Sequence, residues 1–195
     1  GAGPWLAQHF WWRWEFTEDR EFLRDRAYPL YKELALFYQD YLVEDPRRES
    51  PHYGKLVPVP SYSPENHFVG GVEPVSLSIG ATMDLELIHE VFTNLIAASE
   101  ILQADTEKRA DWQSVLDNLP PLQIGRHGQL QEWLEDYEEA EIGHRHISHL
   151  YGLFPGNQIT VENTPEFARA SRVSLERRLS AGGSGWPAAQ SWYGA

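Results

Sequence analysis

The sequence predicts an all-α chain whose helices are separated by long, ordered loops, and three observations carry that reading. Apolar residues recur at a spacing near 3.6 in several separate stretches. Helix start and stop signals bracket most of those stretches. The one long interval without that period, residues 46–79, holds Pro46, Pro51, Pro58, Pro60, Pro64 and Pro74 together with Gly54, Gly70 and Gly71.

Residues 4–16 read as a helix with an aromatic face, because Trp5, His9, Trp12 and Phe16 fall at helical spacing. Thr17, Glu18 and Asp19 then form a start signal, with acids in a first turn favoured by the helix dipole. A stripe follows through Phe22, Leu23, Leu30, Leu34, Phe37, Tyr38, Tyr41 and Leu42, predicting a helix to about Glu44 with Pro29 as the place for a kink. Residues 46–79 form a structured loop with short strands expected near Lys55–Val59 and Val75–Ser78.

Helix returns over 81–103 and again over Glu107–Leu119, which Pro120-Pro121 ends. Within Gln129–Asp136, the acids Glu132, Glu135 and Asp136 read either as a solvated helix start or as part of a site. His144–Tyr151 suggests a short helix. Thr164-Pro165-Glu166 opens another, running to about Leu179 and closed by Gly182-Gly183, and a last one starts near Trp186. Helices in successive pairs with alternating short and long connections suit an α/α toroid whose loops build a pocket; a plain helical bundle is the competing architecture.

The balance of charge excludes some partners. Sixteen basic against 29 acidic residues leave a net of −13, with no basic run. Nucleic acid and anionic membranes both demand a positive footprint, so a neutral ligand fits better. No apolar run reaches membrane-spanning length and no basic-then-apolar leader opens the chain. The absence of cysteine removes disulfides, thiolate metal sites and a cysteine nucleophile. The chain begins Gly1-Ala2-Gly3-Pro4-Trp5 and its single Met is Met83, so it reads as an excerpt of something longer. Aromatic residues, at 13%, suit stacking on sugar rings but equally suit a core.

Among residues that could carry chemistry, Glu65 stands out. It lies in Pro60-Ser61-Tyr62-Ser63-Pro64-Glu65-Asn66, a segment stiffened by prolines and able to hold one acid in one geometry. Alone, that carboxylate reads more readily as a solvated loop residue than as a catalyst. Gln129, Gln131 and Trp133 could bridge vicinal hydroxyls and stack on a sugar. His144, His146 and His149 invite a zinc reading, but Arg145 among them would repel a cation, and hydrogen bonding from Arg145 and His146 to a ligand fits better. Ser61 and Ser63 lack a nucleophile-elbow motif. A glycosidase ordinarily needs two carboxyls about the scissile bond; Glu132, Glu135 and Asp136 are candidate partners for Glu65, and spacing selects none of them.

Taken in order, these segments resemble the catalytic domain of glycoside hydrolase family 95, the inverting α-L-fucosidases. The resemblance runs through Gly3-Pro4-Trp5-Leu6-Ala7-Gln8-His9, Ala27-Tyr28-Pro29, Ser61-Tyr62-Ser63-Pro64-Glu65-Asn66, Thr82-Met83-Asp84, Gly128-Gln129-Leu130-Gln131-Glu132-Trp133 and His144-Arg145-His146-Ile147-Ser148-His149. It implies an (α/α)6 toroid, Glu65 as the general acid, and Arg145 with His146 as the fucose-binding pair. Trp5 and His9 resemble pocket lining, while Gln131 and Glu132 resemble a motif that binds sugar or supports the site. It implies a fucosylated glycan as substrate and no cofactor or metal.

The family's water-activating machinery resembles an Asn pair ahead of this segment and an Asp behind it. No matching Asn-x-Asn precedes Trp5, and Gly185–Tyr193 resembles the helix that leads to that Asp. Residues 1–195 therefore read as one central segment of the catalytic domain, truncated at both ends and inactive by itself. To keep its proton, Glu65 is expected to sit in partly apolar surroundings or near a second anion, with Tyr62, Phe68 and a Trp as suppliers. An α-L-galactosidase of the same fold and a non-catalytic sugar-binding helical fragment are the alternatives.

Overall fold

The computed structural model describes residues 1–182. About half of them are helical, and every strand is only two or three residues long. The chain divides into two compact units: Gly1–Val59 with Leu87–Pro120, and Pro60–Glu86 with Pro121–Ala195, the latter described to Gly182. The helix expected near Trp186 lies outside the described residues.

In the first unit, α1 (Ala2–Thr17) ends where Glu18 turns left-handed, and Asp19 caps α2 (Arg20–Phe22) by accepting from the Phe22 N–H. The chain then passes through a π-helical turn, Leu23–Ala27, into α3 (Tyr28–Tyr41). Pro29 lies just after that turn and has no N–H to donate, and the Tyr28 N–H reaches back five residues to Leu23 O. The disturbance expected at Pro29 thus takes the form of one widened turn.

The helix stops at Tyr41, three residues before the expected Glu44. Leu42–Glu44 instead forms β1, antiparallel to β2 (Leu56–Pro58), with Val43 opposite Val57. β-Branched residues favour that pairing. Beyond β1, buried Asp45 accepts from the Arg47 guanidinium at 2.7 and 2.9 Å, which holds its carboxyl well below the usual carboxylate range.

The buried side of α1 is not its aromatic stripe. Ala7 and Gln8 are buried, whereas His9 and Phe16 are exposed. Tyr31 explains the choice: its hydroxyl donates to Ala7 O at 3.1 Å and accepts from Asn94 Nδ2 at 3.4 Å, and burial pushes its phenol up. Helix α4 (Thr82–Leu102) gives its first turn to the second unit and, from Leu87 on, buries Leu87, Ile88, Val91, Phe92 and Leu95 in the first. A 3-10 turn (Thr106–Lys108) leads into α5 (Arg109–Asn118), which buries Trp112 and Val115. Among the described residues no helix is long and apolar enough to cross a membrane.

The second unit is mostly loop, organised by two short antiparallel pairings and by α6 (Pro165–Ser180). β3 (Ser61–Tyr62) pairs with β6 (Leu77–Ser78), and β4 (Phe68–Val69) with β5 (Pro74–Val75). Phe68, Ala81 and Trp133 form one apolar cluster, and Leu130, Leu150, Ile159 and Ala170 another. Helix α6 turns Ala170, Ser174 and Arg178, four residues apart, into the unit. Small side chains at the first two positions let the 130–134 segment come close, so that Leu130 N donates to both Ala170 O (3.2 Å) and Ser174 Oγ (3.1 Å).

Two expectations are corrected here. Residues 132–136 are no helix start: Leu130 through Leu134 are all buried in irregular backbone. The Gln131 amide donates to Trp133 O and Leu134 O, and the Gln123 amide to Leu134 O, serving carbonyls that a helix would have paired. Likewise, the helix expected over His144–Tyr151 shrinks to one 3-10 turn, Ser148–Leu150.

Candidate active site

The segment after β3 alternates buried anchors with an exposed tip. Ser63 and Asn66 are both fully buried (0% exposed), whereas the Glu65 side chain between them is 56% exposed. A tight turn closes the loop, with Asn66 N donating to Ser63 O at 2.8 Å. The two anchors grip one carboxylate: Ser63 Oγ donates to Glu132 Oε1 at 2.7 Å and Asn66 Nδ2 to Glu132 Oε2 at 2.9 Å.

Glu132 is buried and charged because it is paired. Arg178 Nη2 from α6 donates to its Oε2 at 2.5 Å, and both side chains are about 5% exposed or less. Burial pushes the Glu132 carboxyl up. The basic groups around it and the hydrogen bonds from Ser63 and Asn66 outweigh that and hold it below its ordinary value. His149 Nδ1 lies 3.9 Å from Oε2, and burial drives that imidazole down to about 4, so it is neutral near pH 7. The other Arg178 nitrogen, Nη1, donates to Glu139 Oε1 (2.6 Å), Ile142 O (2.8 Å) and Glu141 O (3.2 Å).

Those carbonyls lead directly into the second candidate segment. His144 is buried, and its Nδ1 accepts from the His146 N–H at 3.1 Å; burial favours its neutral form. This turn aims the next side chains at Glu65: Arg145 Nη2 donates to Glu65 Oε2, and His146 Nε2 lies 3.7 Å from the same oxygen. Ser148 Oγ sits 3.3 Å from both Ser63 Oγ and Pro64 O. With the Ser63 hydrogen given to Glu132, Ser148 is the donor of that group, and it stitches the two segments together.

The structure therefore brings Glu65, Arg145 and His146 into one cluster, with Glu132 beneath. The surroundings of Glu65 differ from those expected. Its partners are a guanidinium and an imidazole, and Phe68 is instead stacked on Tyr137 at 4.1 Å and set edge-on to Trp133. Tyr62 is a neighbour, since burial and the Glu65 charge both push its phenol up. Trp133 is only 2% exposed and offers no face to a sugar. Gln131 is buried and engaged with carbonyls of its own segment.

The other candidates are placed as follows. Ser61 is no nucleophile in this setting: it donates to Asp84 Oδ2 at 2.7 Å and accepts from Ala81 N at 2.8 Å, while burial pushes the Asp84 carboxyl up against the hydrogen bonds from Ser61 and the Tyr62 backbone. Asp136 is taken by Arg126 and by the Gln129 amide. Trp5 and His9 lie on α1 in the first unit, Trp5 half-buried and His9 exposed. Among the described residues no group of three His, Asp or Glu side chains is arranged to hold a metal ion.

Sequence reasoning overlooked Arg178 and Ser148. For Arg178 a signal existed: it follows Ala170 and Ser174 at four-residue steps, on the face that small residues mark as closely packed.

A plant protein named Alpha-L-fucosidase 2, from Arabidopsis thaliana, is 40% identical over 187 residues, covering 95% of this chain and 21% of its own length. A Probable alpha-fucosidase A from Aspergillus niger is 32% identical over 157 residues, covering 80% of this chain and 19% of its own. A protein of the same name from Aspergillus oryzae is 37% identical over 114 residues, 54% of this chain and 14% of its own. The chain thus spans about a fifth of the length of the first two. Residues 1–193 match the family described as the glycosyl hydrolase family 95 catalytic domain, and the chain belongs to that family.

Proposed function

We propose that this chain is part of the catalytic domain of an α-L-fucosidase that hydrolyses terminal α-L-fucosides of glycans with inversion, and that Glu65 is its general acid. The observation that carries the reading is the exposed Glu65 carboxylate, held between buried anchors and facing Arg145 and His146, in a chain of this family. Residues 1–195 form one segment of an (α/α)6 toroid, truncated at both ends and inactive alone, and Trp5 and His9 line its pocket.

In the reaction, the Glu65 hydroxyl proton passes to the glycosidic oxygen as the bond from that oxygen to the anomeric carbon breaks. Water supplies its oxygen to that carbon from the opposite face and gives its proton to a base. Arg145 and His146 donate hydrogen bonds to the fucose hydroxyls. Glu132, with both oxygens engaged by protein donors, supports the acid loop and does not contact sugar.

The test is Glu65→Gln in the intact protein, assayed on an alkyl or oligosaccharide α-L-fucoside. Turnover is expected to fall by about a hundredfold or more. Unchanged turnover sinks the reading.

A further inference from the structure

We propose that Glu132 and Arg178 act as the positioning pair that sets Glu65 against Arg145 and His146, an inference that rests on the general-acid reading of Glu65. The argument is one of connectivity. The acid loop is held from both sides of Glu65 by one carboxylate, through Ser63 Oγ and Asn66 Nδ2. The partner of that carboxylate is Arg178, whose other nitrogen holds Glu141 O and Ile142 O, just ahead of Arg145 and His146. One guanidinium on a helix therefore fixes the base of both segments. Ser148 closes the circuit on the far side by reaching Pro64 O.

A simpler arrangement would serve if the pair only filled space. Taking an ion pair out of water is costly, and apolar residues of equal volume commonly do as well for stability. Here each oxygen of Glu132 and both terminal nitrogens of Arg178 are directed at groups that belong to the two functional segments or lead into them. Neither residue touches a reacting atom on this proposal; both act through the loops they hold.

A displaced general acid has a kinetic signature that general loosening lacks. A departing alkoxide needs the proton, whereas a nitrophenolate leaves with little help. Loss of positioning should therefore fall mainly on kcat for an alkyl fucoside and spare 4-nitrophenyl fucoside. The experiment compares Glu132→Gln, Ser63→Ala and Arg178→Lys with Glu65→Gln in the intact protein, on both substrates.

Glu65→Gln sets the reference pattern, with a large loss on the alkyl substrate and a small one on the aryl substrate. Glu132→Gln and Ser63→Ala are expected to show the same pattern at lower amplitude, about ten- to a hundredfold on the alkyl substrate. Arg178→Lys keeps the charge but gives up the fork that reaches Glu141 and Ile142, and is expected to raise KM on both substrates. Equal losses on both substrates, or none, for Glu132→Gln and Ser63→Ala would overturn the positioning role while leaving the acid intact. A Glu65→Gln variant without leaving-group dependence would overturn the acid reading and the proposal with it. Should Glu132→Gln fail to fold, Ser63→Ala, which removes a single neutral donor, decides the matter.

Discussion

Two carboxylate–arginine pairs lie close in sequence connection yet behave oppositely. Glu132 and Arg178 are almost wholly buried, and both Glu132 oxygens and both terminal nitrogens of Arg178 are engaged by neighbouring backbone and side chains. Glu65 and Arg145 are each more than half exposed and meet at the end of two loops. The same chemistry gives a fixed joint in one place and an exchangeable contact in the other. Burial makes the difference, because an interior charge without its partner has no water to fall back on, whereas a surface charge does.

The largest expected effect tests the fixed joint. Arg178→Met alone leaves Glu132 buried and unpaired and should destabilise the protein by about 3–5 kcal/mol. Adding Glu132→Leu should restore much of that loss. Urea denaturation of the two single variants and the double variant checks it; a single-variant loss near that of a surface pair would erase the distinction.

Acid should act on the same joint. His149 is neutral in the folded protein down to about pH 4, while the unfolded chain takes up its proton below about 6.5. Its contribution is therefore complete above pH 6.5 and is lost as the pH falls toward 4, on the order of 3 kcal/mol. Glu132, held below its ordinary value, adds a further loss below that range. Stability measured across pH 4–7 should decline toward acid in the parent and decline less in His149→Gln; parallel curves would remove His149 from the account.

The smallest effect on stability should come from the exposed pair. Arg145→Ala is expected to change unfolding free energy by less than about 1 kcal/mol. It should nevertheless raise KM for an α-L-fucoside markedly. Thermal unfolding beside steady-state kinetics separates the two, and a large drop in Tm would make this pair structural as well.

Helices were the legible part of the chain, because their signals are local. Apolar spacing in α4 and the Thr164-Pro165-Glu166 start of α6 needed no distant partner to be interpreted. Leu42–Glu44 looked like a continuing helix because the strand that captures it, Leu56–Pro58, lies beyond a turn. Glu132 was ambiguous for the same reason on a larger scale. Whether an acid in a polar run faces solvent or core depends here on Arg178, 46 residues later. Glu65, Arg145 and His146 were legible as residue types, whereas their meeting depended on anchors made by Ser63, Asn66 and Ser148.

The double grip on Glu132 also governs how this loop can vary. Ser63 and Asn66 must reach two oxygens of a single carboxylate that are fixed relative to each other. The loop is thus measured out, and for this grip its length matters more than the identity of what lies inside it. Replacing a side chain between the anchors changes what the tip presents. Inserting one residue there pulls an anchor off its oxygen and swings the tip by about 3.8 Å, the spacing of neighbouring Cα atoms. The double grip therefore tolerates substitution at the tip but not insertion, while the proposed chemistry still demands the Glu65 carboxyl there.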